Sequence, residues 1–304
     1  MDVTNFKSVV ELLDTFKDEQ SCIEHLEWLR WDGNVVSPFD PTSVVYKCKN
    51  NRYRCKNTGK YFNVKTNTLF DNTKIPLRKW FVAIYLVTSH KKGISSLQLS
   101  RDIDVTQKTA WFILHRIRKC FGIENNNDLN NTVELDETYV GGKNKNRHAD
   151  KKVEHSQGRS GQDKTPVFGM VERKGKLNAM VVKDTSSETL TAEVVRFVKQ
   201  AIIYTDEWRG YNSIKQLFQH EIVKHKEYEY VRDNVYTNTI EGFWSLLKRG
   251  VIGIYHYISK SHLQKYVDEF VYRYNTRDYT ECGRFNLLLK NTEHRLTYKQ
   301  LIYG

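Results

Sequence analysis

Three acidic residues stand where a carboxylate can act on a ligand. Asp136 lies inside Val133-Glu134-Leu135-Asp136-Glu137-Thr138-Tyr139-Val140, which reads as a strand between Asn130-Asn131 and Gly141-Gly142. Alternation places Val133, Leu135, Glu137 and Tyr139 on one face and Glu134, Asp136 and Thr138 on the other. A carboxylate inside a buried strand must be exposed or paired, because an isolated buried charge is costly, and a metal ion meets that need. Asp206 follows the apolar run Ala201-Ile202-Ile203-Tyr204-Thr205, at the carboxyl end of a strand, where open α/β sheets place ligands. Glu241 falls in the first turn of a helix that begins Asn238-Thr239-Ile240-Glu241 and continues through Phe243, Trp244, Leu246 and Leu247. Lys248 lies two helical turns on, on the same face as Glu241. Singly, each acid has a structural reading: an edge-strand charge, a turn cap, a partner of the helix dipole. Together they are oxygen ligands suited to Mg²⁺ or Mn²⁺, and two such ions suit in-line phosphoryl transfer.

The surrounding elements must bring these acids together. Strands are expected at 166–172, 178–183 and 221–224, with a helix at 187–200. A further helix at 259–274 carries the stripe Leu263, Val267, Phe270, Val271 and Tyr274, which is expected to pack on the sheet. Residues 131–280 therefore read as one α/β domain. Ahead of it the texture changes three times. Residues 1–31 are helical in pattern, 32–73 hold short β-prone pieces after the turn signal Trp31-Asp32-Gly33-Asn34, and 74–122 return to helix.

Within 74–122, the segment 94–101 and the helix 107–119 are joined by a tight link, with Thr106 as N-cap. Ala110, Ile113, Leu114 and Ile117 form the buried stripe, and Lys108, Arg116, Arg118 and Lys119 make the helix basic. This is a helix-turn-helix pattern, in which Thr106, Gln107, Lys108 and Thr109 face base edges in the major groove. A plain helical hairpin that packs a core gives the same pattern. The chain of 304 residues carries a formal net charge of +12, which fits a polyanionic partner. The polar loop 143–164 adds Lys143, Lys145, Arg147, Lys151 and Lys152 beside the first acid, either to follow a phosphate backbone or as a solvated surface. Its histidines, His148 and His155, are not expected to bind metal. Trp208 and Trp244 can stack on a base or serve as ordinary core beside the acids. The five cysteines are odd in number and scattered, as free thiols in a reducing cytosol would be. Neither a signal peptide nor a membrane-spanning run is present in the pattern.

Three blocks, VELDETYVGG at 133–142, TDEWRGY at 205–211 and TNTIEGFWSLLKRGVIGIYHY at 237–257, resemble a known family. The chain is similar to bacterial insertion-sequence transposases of the DDE superfamily, ISXO-type group, related to Merlin elements. The resemblance runs from about residue 27 to 278 and implies an RNase H-like catalytic domain, a mixed sheet flanked by helices. It implies that Asp136 and Asp206 are the first two catalytic acids. For the third position it offers Glu241 or Asn238, since some members are described with Asn there. A carboxylate neutralises a divalent ion better than an amide, which favours Glu241 and leaves Asn238 to orient a ligand or bind the DNA backbone. Lys248 matches the basic residue after the third acid and would hold a phosphate.

The resemblance also implies an N-terminal zinc ribbon with two Cys-x-x-Cys knuckles, and here the chain departs. Ser37 and Asp40 stand in the first knuckle, and only Cys55 remains in the second. One thiolate cannot make a structural zinc site, so a degenerate zinc-ribbon-like β region without zinc is expected. Cys48 and His25 have no spacing that recruits them.

The implied activity is metal-dependent cleavage of double-stranded DNA at element ends and strand transfer into target DNA. Mg²⁺ or Mn²⁺ is the implied cofactor, a homodimer or larger assembly on DNA the implied state, and the cytoplasm with its nucleoid the implied location. A nuclease that cuts without joining, and a retired transposase that only binds DNA, share these features. The implied layout ends in a C-terminal tail at 281–304.

Overall fold

The computed structural model describes residues 5–141, 149–152, 164–223 and 236–303. The chain folds into two compact units, 1–121 with 278–304, and 122–277.

In the first unit, the expected N-terminal helical segment consists of two helices, α1 (Val9–Thr15) and α2 (Glu19–Trp31). The break has a local cause. Asp18 caps α2, accepting the Ser21 N–H, and Ser21 Oγ accepts the Asp18 N–H in return, a capping box that starts a new helix. The turn signal after Trp31 is realised by Asp32 in the left-handed region at φ 44°. Three short strands follow, β1 (Val45–Cys48), β2 (Arg52–Cys55) and β3 (Tyr61–Phe62), in an antiparallel meander. Next come α3 (Leu77–Ser89), begun at Pro76, then α4 (Ser96–Asp102) and α5 (Gln107–Phe121).

The segment 281–304 is not a tail. It forms α9 (Glu281–Lys290) and α10 (Tyr298–Tyr303). Phe285 of α9 is fully buried in an aromatic cluster, with ring centroids 5.2 Å from Phe6 and 5.3 Å from Phe81. Burying these rings removes enough apolar surface to hold both ends of the chain in one core.

Among the described residues, the second unit is a mixed α/β fold around a five-stranded sheet. Its strands are β4 (Leu129–Val140), β5 (Thr165–Glu172), β6 (Leu177–Val181), β7 (Val198–Thr205) and β8 (Gln219–Ile222), in the order β6-β5-β4-β7-β8. β4, β5 and β6 are antiparallel, whereas β7 and β8 run parallel to β4. Helix α6 (Ser187–Phe197) stops three residues short of the expected end, because Val198 opens β7. Strand β4 runs through Asn130-Asn131 instead of starting after them. Asn131 takes a positive φ of 61°, and the register shifts there.

Alternation divides the core as expected. Val133 and Leu135 of β4, with Phe168 and Met170 of β5, pack with Leu190 and Val194 of α6. The other face is covered by α7 (Asn238–Gly250) and α8 (Leu263–Asn275), through Ile240, Phe243, Trp244, Leu247, Val267 and Phe270.

The outer side of β6 is closed by side-chain amides. Asn275 bonds both the N–H and the C=O of Leu177, at 2.8 and 2.9 Å. Asn125 does the same for Ala179, at 2.8 and 2.6 Å, and Gln264 accepts the Val181 N–H at 2.7 Å. Among the described residues no helix is long and apolar enough to cross a membrane.

Candidate active site

Strand register brings the first two acids together. Glu134 of β4 pairs with Tyr204 of β7 in parallel, so the two strands run toward Asp136 and Asp206 in the same direction, and the Asp206 charge acts on Asp136. Asp136 points to the face covered by α7, as the alternation predicts. There Trp244 Nε1–H donates to Asp136 Oδ2 at 3.0 Å. Across the other ladder, Asp136 pairs with Gly169 of β5. A Cβ at Gly169 would lie 2.6 Å from the Trp244 ring and 2.9 Å from Ile240, so the missing side chain is the space in which α7 rests on the sheet.

Asp206 sits just past the end of β7, where its Oδ1 accepts the Trp208 N–H at 2.9 Å. Glu241 is exposed in the first turn of α7, and Thr237 Oγ1 donates to its Oε1 at 3.2 Å. Burial, then the charges of Glu137, Asp206 and Glu241, push the Asp136 carboxyl up to about 8. Asp206 and Glu241 are thus each close enough to act on Asp136. Glu137 lies on the opposite face, where Tyr211 Oη–H donates to its Oε2 at 2.6 Å. Asn238 and Lys248 are both exposed on α7, at the start and in the last turn.

Among the described residues, no three His, Cys, Asp or Glu side chains already form a group that could hold one ion. The donors nevertheless fit a hard divalent cation. They are carboxylate oxygens, and a cation would offset the burial and the like charges that act on Asp136.

Trp244 is 4% exposed and bonded to Asp136, so its role is to hold the acid, and it offers no face to a base. Trp208 is partly buried, with Nε1 directed at the Thr185 carbonyl at 3.4 Å.

In the first unit, Thr106, Gln107 and Lys108 are exposed at the start of α5, and Thr109 is partly so. Thr106 Oγ1 accepts the Thr109 N–H at 3.2 Å, which is the expected cap. Gln107 Nε2 donates to Ser96 Oγ at 2.7 Å, and Lys108 Nζ lies 5.6 Å from the centroid of the Tyr298 ring. Arg116 is a correction. It is buried, its Nη2 donates to the Asp71 carbonyl at 2.8 Å, and its guanidinium lies over the Trp80 and Phe112 rings. Position 116 belongs to the core stripe, three residues after Ile113 and four before Cys120, so its charge faces protein. Lys143, Lys145, Arg147, His148 and His155 lie outside the described residues. Lys151 ends a 3₁₀ turn, and Lys152 is exposed.

The loops expected to carry knuckles do meet. Ser37 Oγ accepts the Phe39 and Asp40 N–H groups at 3.2 and 3.4 Å, and Asn57 Nδ2 donates to Asp40 Oδ2 at 2.7 Å. Burial would raise the Cys55 thiol, but hydrogen bonds from Ser37, Ser43 and Thr58 outweigh it and bring it down to about 6. His25 is bonded instead to Asn286 Oδ1 at 2.9 Å, and Cys48 Sγ to the Tyr46 carbonyl at 3.7 Å. Hydroxyls and an amide stand where thiolates would surround a metal. Purified protein is therefore expected to carry no stoichiometric zinc by elemental analysis, and a chelator should leave its melting temperature unchanged; a zinc-dependent melt would overturn this.

Residues 128–275 match the ISXO2-like transposase domain. The second unit is therefore similar to a transposase domain. That domain spans almost the whole second unit, including all three acids. A protein of Halobacterium salinarum, described as an uncharacterized protein in transposable element ISH50, is 29% identical over 275 residues, covering 86% of this chain and 92% of its own length. The resemblance carried by the three sequence blocks is thereby borne out: the chain is similar to insertion-sequence transposases of this group.

The transposase domain also contains residues that pattern reading passed over. Glu134, Arg173, Thr239 and Gly169 shape the site without resembling catalytic residues. Only Glu134 left a signal, as a second acid on the face of Asp136 inside a buried strand.

Proposed function

We propose that the chain is a DNA transposase of RNase H-like fold that cuts at element ends and joins them to target DNA. The observation that carries this reading is Asp136 beneath α7, tied to Trp244 and close enough to Asp206 and Glu241 to feel both charges. Asp136, Asp206 and Glu241 would hold Mg²⁺ or Mn²⁺. When bound, such ions activate the attacking hydroxyl and stabilise the leaving 3′-oxygen. The protein's share is positional. Trp244 fixes one oxygen of Asp136, the Trp208 N–H fixes Asp206, and the Thr237 hydroxyl restrains Glu241. Asn238 shares the first turn of α7 with Glu241 and would orient a ligand or the DNA backbone. Lys248, two turns beyond Glu241, would neutralise a phosphate of the bound strand.

Binding is assigned to both units. In the first, α4 and α5 form a helix-turn-helix, and Thr106, Gln107, Lys108 and Thr109 read the major groove. In the second, Lys143, Lys145, Arg147, Lys151 and Lys152 contact phosphates. The β1–β3 meander is a zinc-ribbon shape kept by hydrogen bonds. Two DNA ends must be joined, so the working form is at least a dimer, acting in the cytoplasm on the nucleoid.

The test is a cleavage and joining assay on plasmid DNA bearing the sequences that flank the gene, with Mn²⁺ or Mg²⁺. Joined products establish the transposase. Cutting without joining leaves a nuclease, and tight binding without metal-dependent cutting leaves a DNA-binding protein. Glu241→Ala beside Asn238→Ala ranks the two candidates for the third ligand.

The correction at Arg116 separates two kinds of basic residue. Lys108→Ala should weaken duplex binding and lower the salt slope by about one. Arg116→Ala should instead destabilise the first unit by about 2 kcal/mol, through lost hydrogen bonding in a buried site, and leave the slope unchanged. Binding isotherms at several salt concentrations, beside thermal melts, decide this; a shallower slope for Arg116→Ala would sink it.

A further inference from the structure

Glu134 is a fully buried carboxylate in the middle of β4, two residues before Asp136. Burying an ionised carboxylate is costly unless it is paired and hydrogen-bonded. Its partners come from two elements. Arg173, just beyond β5, places Nε 2.8 Å from Oε1. The other partners belong to the first turn of α7. The Thr239 N–H donates to Oε2 at 2.9 Å, the Ile240 N–H to Oε2 at 3.1 Å, and Thr239 Oγ1 to Oε1 at 2.9 Å.

The carboxylate therefore takes up N–H groups that a helix start leaves without intrahelical partners, and its charge is favourable at that end of the dipole. Arg173 extends the grip. Its Nη2 donates to the Tyr236 carbonyl at 2.7 Å, and its guanidinium lies over the Tyr204 and Tyr236 rings, at 4.6 and 3.5 Å from their centroids.

The strand that carries Asp136 thus holds, through its own neighbouring side chain, the first turn that carries Asn238 and Glu241. Two residues along a strand span roughly 7 Å, so the anchor and the first acid share one rigid segment. Trp244 makes the second attachment of α7, one turn further along. Two attachments to one strand set both the height and the rotation of the helix.

We propose that Glu134, with Arg173, is a positioning residue: it sets where the third ligand on α7 stands relative to Asp136 and Asp206. This rests on the phosphoryl-transfer reading above. A side chain that served stability alone would, on removal, loosen the whole unit and lower binding and turnover together. A positioning residue loses turnover while DNA binding stands, because a displacement near 1 Å can cost about a hundredfold in rate.

The experiment compares wild type with Glu134→Gln, which keeps the size but loses the charge and one acceptor. Amide hydrogen exchange of Thr239 and Ile240, without DNA or metal, should quicken by at least about tenfold, while exchange in β4 and β5 stays at the wild-type level. Mn²⁺-dependent nicking of supercoiled plasmid should show kcat lower by about a hundredfold, with KM within about twofold. Unchanged exchange at Thr239 and Ile240 overturns the proposal, as does loosening throughout the unit with kcat and KM impaired together. A wild type that nicks beside an equally active Glu134→Gln overturns this proposal alone. A wild type that does not nick overturns the phosphoryl-transfer reading and this one with it. Should Glu134→Gln fail to fold, Thr239→Val, which removes only the hydroxyl donor, must show a lowered kcat at unchanged KM; a normal kcat overturns the proposal.

Discussion

Asp136→Asn is expected to abolish metal-dependent strand cleavage and, at the same time, to stabilise the metal-free protein. The first effect follows from charge. Losing one ion-holding carboxylate removes several kcal/mol of stabilisation, a rate loss on the order of a thousandfold. The second follows from burial and from the crowding of like charges. Burial and the charges of Glu137, Asp206 and Glu241 hold the Asp136 carboxyl up at about 8, against 3.8 for an ordinary aspartate. Between these values the folded protein keeps a proton that the unfolded chain releases, so wild-type stability falls as pH rises from 4 toward 8. Asparagine stays neutral throughout, and that loss should vanish in the variant. A gain of only about 1 kcal/mol moves a melting temperature by roughly 2–4 °C for a unit of this size. Added Mn²⁺ should reverse the order, because an ion that binds the folded state stabilises it and Asp136→Asn would bind it poorly. Melts in chelator and in Mn²⁺, at several pH values, provide the check. An unchanged ranking in the two buffers would refute the assignment of Asp136 as an ion ligand, whatever the activity.

Gly169→Ala should be strongly disruptive in the second unit. The added Cβ would sit 2.6 and 2.7 Å from Trp244 ring carbons and 2.9 Å from Ile240 Cδ1. Neither neighbour can give way freely, since Trp244 is bonded to Asp136 and Ile240 is fully buried. Overpacking of this kind costs about 1–3 kcal/mol, and here it also lifts the helix that carries Glu241. A lowered melting temperature and a large loss of cleavage are expected together. The contact is tested by coupling. Trp244→Phe shrinks the ring, so the double variant should be less destabilised than the sum of the single ones, by more than about 0.5 kcal/mol. Additive effects would show that the crowding lies elsewhere.

Much of this site can be read from local pattern, and the rest depends on partners far away in the chain. The alternation in β4 put Asp136 on the α7 face, and the apolar run of β7 ended at Asp206, because strand periodicity and strand ends leave local marks. The start of α7 was equally visible. By contrast, Glu134 meets Thr239 across 105 residues, and the space above Gly169 exists only once Trp244 is in place. The same distinction explains the errors in the fold. Asn130-Asn131 looks like a turn, but the parallel ladder to β7 carries the strand through it with a register shift. The helix before β7 has no glycine or proline to mark its end. The segment 281–304 reads as a tail because nothing nearby in sequence shows that Phe285 meets Phe6 and Phe81. Arg116 is different. Its place in the buried helical stripe of α5 is legible from the spacing to Ile113 and Cys120.

The amides along the outer side of β6 bear on how copies of this protein can meet. An edge strand ordinarily offers a row of dangling donors and acceptors to any other extended chain. Asn125, Gln264 and Asn275 occupy that row at Leu177, Ala179 and Val181. A continuous intermolecular sheet cannot grow from this side without breaking bonds already made. Contact between two copies on this side must therefore be built from side-chain surfaces, and high local concentration does not invite sheets to fuse into fibrils along this edge.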